Sequence, residues 1–135
     1  MIKTETLASI MRKQFPFEKL EVWQDARRLV GSVYKTTRTF PKSELYGMTS
    51  QLNRASVSVA NNLAEGSVRV SLKDQAHFSN QAYSSLMETA SDMIIANDLG
   101  FVASENSDEI LNAAYDLSVR INNLRESQLR RISTA

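Results

Sequence analysis

Residues 46–66, YGMTSQLNRASVSVANNLAEG, decide the fold because they read as one long amphipathic helix. Apolar side chains recur there at steps of three and four residues, on one side of an α-helix: Met48, Leu52, Ala55, Val59 and Leu63. Polar side chains recur with the same spacing on another side of the helix: Arg54, Ser58, Asn61 and Glu65. We call these four residues, together with Glu88 of a later segment, the polar seam. We expect the apolar side to be buried. The polar seam is either a solvated face or a surface that contacts another helix or another subunit.

The flanking segments predict three further helices. The first runs from about Glu18 to Thr39, and helical spacing selects its inward face: Trp23, Ala26, Val30, Val33 and Thr37. The third follows an N-cap at Ser71 and closes at Asp98-Leu99-Gly100. The fourth follows a cap at Asn106 or Ser107, and its apolar positions step in a heptad pattern: Ile110, Ala114, Leu117, Ile121 and Leu124.

Several residues predict how these helices begin, end and cross. Ser43 is expected to cap the second helix, and Gly66 is expected to end it in a left-handed conformation. Gly31, in the middle of the first helix, predicts a close helix crossing. Beyond Leu124 the apolar pattern degrades, so the tail SQLRRISTA is expected to fray or project.

Length and composition favour one small domain built from few, long elements. The chain has 135 residues, 4 Gly, 2 Pro and no cysteine. The absence of cysteine excludes disulfides, thiolate zinc sites and cysteine nucleophiles. No apolar run reaches the roughly 20 residues of a membrane span, so we expect a cytoplasmic protein without membrane contact. The prediction is an all-α, antiparallel up-down four-helix bundle over residues 17–132, with an N-terminal arm at 1–16 and a tail at 133–135.

Charge is distributed unevenly between the two halves of the sequence. Residues 1–73 hold 12 Lys or Arg and 6 Asp or Glu, a net charge of +6, whereas residues 74–135 hold 4 and 9, a net charge of −5. On the first helix a basic stripe comprises Arg28, Lys35, Arg38 and Lys42, with Arg27 at its edge. With Arg54 and Arg69 these are the candidate nucleic-acid-binding residues. The alternative is a solvated face, because aromatic side chains suited to base stacking are missing from the stripe.

Little in the sequence points to catalysis. Asp74 and His77 have the i, i+3 spacing of metal sites in bundles, but such sites need a second motif of this kind and further carboxylates. Glu65, Glu88 and Asp92 are the carboxylates expected near helix interfaces, where Arg54, Arg69 or Arg120 are available as partners. No nucleophile or cofactor-binding glycine loop accompanies them. We therefore predict no catalytic residues, no metal and no cofactor.

The stretch FPKSELYGMTSQLNRASVSVANNLAEG, preceded by FEKLEVWQDARRLV and followed by Arg69 and Ser71, resembles a known family. This is the four-helix-bundle family of proteins encoded in intervening sequences of 23S ribosomal RNA genes, and the resemblance covers roughly residues 17–101. It implies a ring-like homopentamer without a typical enzymatic activity. The family is similar to accessory proteins of diversity-generating retroelements, which are pentameric bundles that bind nucleic acid and a reverse transcriptase. Asn53 departs from the pattern, because the family usually has a second arginine beside Arg54.

The sequence alone leaves three classes of function open. The first is a non-catalytic homo-oligomeric interaction module, whose partners are copies of itself and, as a further option, another protein. The second is a nucleic-acid-binding accessory protein that contacts RNA or DNA through the basic stripe, Arg54 and Arg69. The third is a small enzyme, for which no substrate suggests itself.

Overall fold

The structure, a computed structural model, describes residues 12–134. In this range the chain forms four long helices and no β-strand: α1 (Glu21–Thr37), α2 (Ser50–Ser67), α3 (Leu72–Asp98) and α4 (Ser104–Thr134). The principal contacts join consecutive helices, and α1 also contacts α4. Each helix therefore has two neighbours, and the four surround one apolar core. Most of the predicted arm, residues 1–11, lies outside the described residues.

The core consists of the apolar positions that recur at helical spacing. Predicted residues of the first, second and fourth helices are buried, among them Val33, Leu52 and Ile121, and Leu86 of α3 is buried with them. Trp23 and Val30 are only half-buried at the edge of the core, while Leu29 is buried although the sequence analysis did not select it. Asn53, which departs from the family pattern, has a structural role, since its Oδ1 accepts a hydrogen bond from Thr37 Oγ1 at 2.8 Å.

The start of the second helix differs from the prediction. A 3-10 turn at Lys42–Glu44 and a π-helical turn at Leu45–Thr49 precede α2, and Gly47 interrupts helical geometry with φ −108° and ψ −113°. The side chain that caps this start is Glu44 and not Ser43, since Glu44 accepts a hydrogen bond from the Met48 N–H at 3.2 Å and so caps the π-helical turn, while α2 itself begins after Thr49 without a side-chain cap. The first helix likewise begins later than predicted, at Glu21, after a 3-10 turn at Pro16–Lys19.

Two glycine predictions are wrong and one is confirmed. Gly66 lies inside α2 and is buried, and a Cβ there would lie 2.8 Å from Phe78 Cβ of α3. Its small size thus permits a close approach of helices. The expected crossing at Gly31 is absent from the described chain, because a Cβ there would meet nothing within 4 Å. Gly100 ends α3 with φ +80°, the left-handed conformation expected of a C-terminal glycine.

The third and fourth helices differ in how well their ends were predicted. Ser71 caps α3 as expected, because its Oγ accepts a hydrogen bond from the Asp74 N–H at 3.1 Å. The fourth helix begins at Ser104, earlier than the predicted caps at Asn106 or Ser107, and Ser107 is buried. The tail does not fray after Leu124, since α4 continues to Thr134. Gln128 is buried and accepts a hydrogen bond from Ser79 Oγ at 2.7 Å, which satisfies a polar side chain at an inward position.

Candidate interaction surfaces

The polar seam divides into a part that joins two helices and a part that faces outward. Arg54 of α2 forms a salt bridge with Glu88 of α3 at 2.8 Å, and the hydroxyls of Ser58 and Ser85 share a hydrogen bond at 2.9 Å. Asn61 and Glu65 make no side-chain hydrogen bond or ion pair within residues 12–134. They line an open groove of about 390 Å³ that also includes Tyr34 of α1. This outer half of the seam is accessible to another molecule.

Asp92 lies one helical turn beyond Glu88 and is the most unusual carboxylate of the described chain. The residue is only 7% exposed, and its Oδ2 has no hydrogen-bond partner among the described residues. Burial raises the pKa of Asp92, the Glu88 carboxylate raises it further, and Arg54 opposes both effects. Arg54 is bound to Glu88 and acts on Asp92 only through its charge. The sequence predicted Asp92 near a helix interface but held no signal for its missing partner.

The candidate nucleic-acid-binding residues have different surroundings in the fold. Arg28 is paired with Asp25, and Arg54 is paired with Glu88. Lys35 lines a cleft that also contains Glu109 of α4. The proximity of acidic residues to the later part of the basic stripe could not be predicted from the sequence, because it is α4 that brings them there.

Contacts between helices show instead that basic residues gather at one end of the bundle. Asp25 of α1 binds Arg120 of α4, Arg125 donates to Asn80 Oδ1 of α3 at 2.8 Å, and Arg69 lies over the Phe78 ring. These contacts bring together residues 12–28, 65–83 and 120–134, which we call the basic end. It holds 11 Lys or Arg and 6 Asp or Glu, a net charge of +5. The remaining described residues, 29–64 and 84–119, hold 4 and 8, a net charge of −4.

The basic end also contains features that the sequence analysis did not identify. Three arginines there lie over aromatic rings: Arg27 over Trp23, Arg69 over Phe78 and Arg125 over Tyr83, at 5.5, 4.6 and 5.2 Å from the ring centroids. Arg12, Arg27 and Arg28 line an open cleft of about 480 Å³. The i, i+4 spacing of Trp23 and Arg27 on one helix was the available sequence signal. Arg69 lies in the link before α3, and Arg125 is on a different helix from Tyr83, so these two pairs leave no local pattern in the sequence.

A metal centre finds no support in the described part of the chain. Residues 12–134 contain no group of three or more histidine, cysteine, aspartate or glutamate side chains able to hold a metal ion. The His77 ring instead packs edge-on against Phe78, with centroids 5.6 Å apart. Among the described residues, no helix has the length and apolar character that crossing a bilayer requires.

Comparison with known proteins agrees with the resemblance stated for residues 17–101. The family model described as 23S rRNA-intervening sequence protein matches residues 18–123. The chain belongs to this family. A solved structure of a protein of unknown function from the S23 ribosomal protein family of Bacteroides thetaiotaomicron is similar, with a TM-score of 0.70. It is 17% identical and covers 77% of this chain and 97% of its own, so the likeness concerns the fold. No curated protein matches the chain.

Proposed function

We propose that this member of the 23S rRNA-intervening sequence protein family is a non-catalytic interaction module that assembles with copies of itself. The proposed fold is an antiparallel up-down bundle, and the proposed assembly is the homopentamer that the family resemblance implies. The observation that carries the proposal is the scarcity of charge and the exposure of apolar side chains on the solvent-facing side of α3.

The solvent-facing side of α3 is almost free of charge over most of its length. Between Asp74 and Asp98 the only charged residues are Glu88, which is paired with Arg54, and Asp92, which is buried. The outward positions carry small polar or apolar side chains: Ser84, Met87, Ser91, Ile94 and Ile95. Met87, Ile94 and Ile95 are 39–50% exposed. Such a face loses little hydration free energy when it is covered, and exposed apolar area of this kind typically marks a protein contact.

The orientation of α2 and α3 supports the proposed topology. Arg54 pairs with Glu88, and Ser58 pairs with Ser85. The residue numbers therefore increase along α2 while those of the partners decrease along α3. This is the pairing of antiparallel neighbours, and the short links at residues 68–71 and 99–103 join α2 to α3 and α3 to α4. The outer half of the polar seam, Asn61 and Glu65, lines a groove with Tyr34 of α1 and offers further hydrogen-bonding groups to a neighbouring copy.

The test is the molecular mass in solution, measured by light scattering on the full chain. A pentamer of the 15.2 kDa chain has a mass of about 76 kDa. Ile94→Arg places a charge in the middle of the proposed contact and should reduce the mass toward that of a monomer, with helicity by circular dichroism retained. Val70→Arg is the matched control, because Val70 is fully exposed in the link between α2 and α3. A monomeric wild type, or an Ile94→Arg variant with unchanged mass, would refute the proposal.

A further inference from the structure

We propose that the basic end of the bundle binds single-stranded nucleic acid, with phosphate groups in the cleft of Arg12, Arg27 and Arg28 and a base stacked on Phe15. This activity is additional to self-assembly and does not depend on it. Of the seven residues named from the sequence it retains Arg27, Arg28 and Arg69, and the fold brings these together with basic residues from three separate parts of the chain.

The cleft has the size and charge of a phosphate-binding site. Its volume is about 480 Å³, and its lining includes three arginines, two glutamines and one glutamate, a net charge of +2. The side chains of Arg12 and Arg28 are 58% and 70% exposed, so their remaining N–H groups face solvent. Guanidinium groups bind phosphate oxygens bidentately, and the amides of Gln14 and Gln24 add neutral donors.

The charged groups of this cleft are held in place before a ligand arrives. Arg12 is paired with Glu18, and Arg28 is paired with Asp25, which also binds Arg120. The Arg12 hydrogen bond, and after it the Phe15 N–H, lower the pKa of Glu18, so this carboxylate stays ionised and keeps Arg12 oriented. Arg27 lies over Trp23. Ordered side chains lose less conformational entropy on binding, so the arrangement favours affinity.

Aromatic rings lie beside these arginines, although none belongs to the basic stripe that the sequence analysis considered. Phe15 is 61% exposed and stacks on Phe17, with centroids 5.7 Å apart and planes inclined by 10°. Phe17 in turn packs edge-on against Trp23 at 5.0 Å. An exposed ring supported from behind is a platform for a nucleic-acid base, and only an unpaired base has a free face to offer it.

The combination favours single-stranded nucleic acid over an anionic membrane surface. Arginines predominate at the basic end, and the cleft is a recess into which a backbone phosphate fits. The net charge of −4 on the other described residues repels a polyanion, which restricts binding to one end of the molecule.

The test is fluorescence anisotropy with a labelled oligouridylate of about 12 nucleotides, a length within the usual range for one binding domain. Wild-type protein should bind it, and the affinity should fall steeply with salt concentration. Arg27→Gln with Arg28→Gln should weaken binding at least about tenfold and reduce the slope of log affinity against log salt by about 1–2, because two phosphate contacts are lost. Phe15→Ala should weaken binding about tenfold through loss of stacking.

The matched control is Lys35→Gln with Arg38→Gln, which removes the same charge from the first helix and its C-terminus but outside the basic end. This variant should change the affinity less than threefold, and circular dichroism should show that all variants remain folded. Equal losses in both double variants would overturn the proposed site, since they would indicate attraction by overall charge. Binding of a duplex as tightly as the single strand, or of phosphatidylserine vesicles with no binding of the oligonucleotide, would also overturn it.

Discussion

Replacing Asp92 by asparagine should stabilise the protein at neutral pH and have no effect on its stability at pH 3.5. The wild-type carboxylate is 7% exposed and has an oxygen without a hydrogen-bond partner among the described residues, while the nearby Arg54 is paired with Glu88. Because its pKa is raised in the folded state, the folded protein holds this proton more tightly than the unfolded chain. The stability that Asp92 contributes is therefore fully present below its unfolded pKa of about 3.9 and is lost as the pH rises through the folded pKa.

The size of the effect follows from the environment of this carboxylate. An unsatisfied buried polar group costs about 1–3 kcal/mol, and Arg54 offsets part of this, so the lower limit of about 1 kcal/mol applies. In a chain of this length, that free energy corresponds to an increase in Tm of about 3–5 °C. Asparagine keeps the shape of aspartate and reproduces its neutral form.

The assay is thermal unfolding by circular dichroism at pH 7.5 and pH 3.5, at fixed protein concentration because assembly would also affect Tm. Asp92→Asn should unfold at a higher temperature than wild type at pH 7.5 and at the same temperature at pH 3.5. Asp116→Asn, an exposed aspartate on α4, is the control and should shift Tm by less than about 2 °C at either pH. A lower Tm of Asp92→Asn at pH 7.5 would refute the reasoning, since it would mean that the ionised carboxylate stabilises the fold.

Three further changes test the packing and the helix ends, each by urea unfolding. Gly66→Ala should destabilise the protein by about 1–2 kcal/mol, because its Cβ would lie 2.8 Å from Phe78 Cβ, whereas Gly31→Ala, with open space around it, should stabilise α1 by about 0.5–1 kcal/mol. Equal effects would contradict the close approach at Gly66. Ser71→Ala should lower stability by about 1 kcal/mol through loss of the α3 cap, and an unchanged midpoint would show that this cap is dispensable. Gln128→Ala should cost about 1–3 kcal/mol by leaving the buried Ser79 hydroxyl without its partner, and a loss below 0.5 kcal/mol would indicate that water replaces it.

The helices could be predicted from the sequence because burial imposes a period on each of them. Leu52, Val59 and Leu63 mark the inward side of α2 through spacing alone, and the structure buries all three. Gly66 shows the limit of such reasoning. A glycine near a helix end is compatible with a left-handed terminus or with a close neighbour, and only the position of Phe78 distinguishes the two.

The charged surfaces could not be predicted because they depend on which helix ends meet. Arg28 and Lys35 are two helical turns apart on α1, yet one lies near Asp25 and Arg120 and the other lines a cleft with Glu109. In the sequence, the change from net positive to net negative charge falls at residue 73. In the folded molecule, the positive charge lies at one end of the bundle and the negative charge lies on the remaining residues. The basic end therefore combines arginines from the beginning, the middle and the end of the chain.

The two proposed activities occupy different surfaces, and the symmetry of the assembly would connect them. In a cyclic ring, equivalent points of all copies lie at the same height along the rotation axis. The clefts of Arg12, Arg27 and Arg28 would then form a circle of identical basic sites around that axis. A strand that leaves one cleft would meet the next at a high effective concentration, so a weak site on each copy suffices for tight binding by the ring. On this argument, self-assembly through α3 would raise the affinity for nucleic acid without contributing a contact to it.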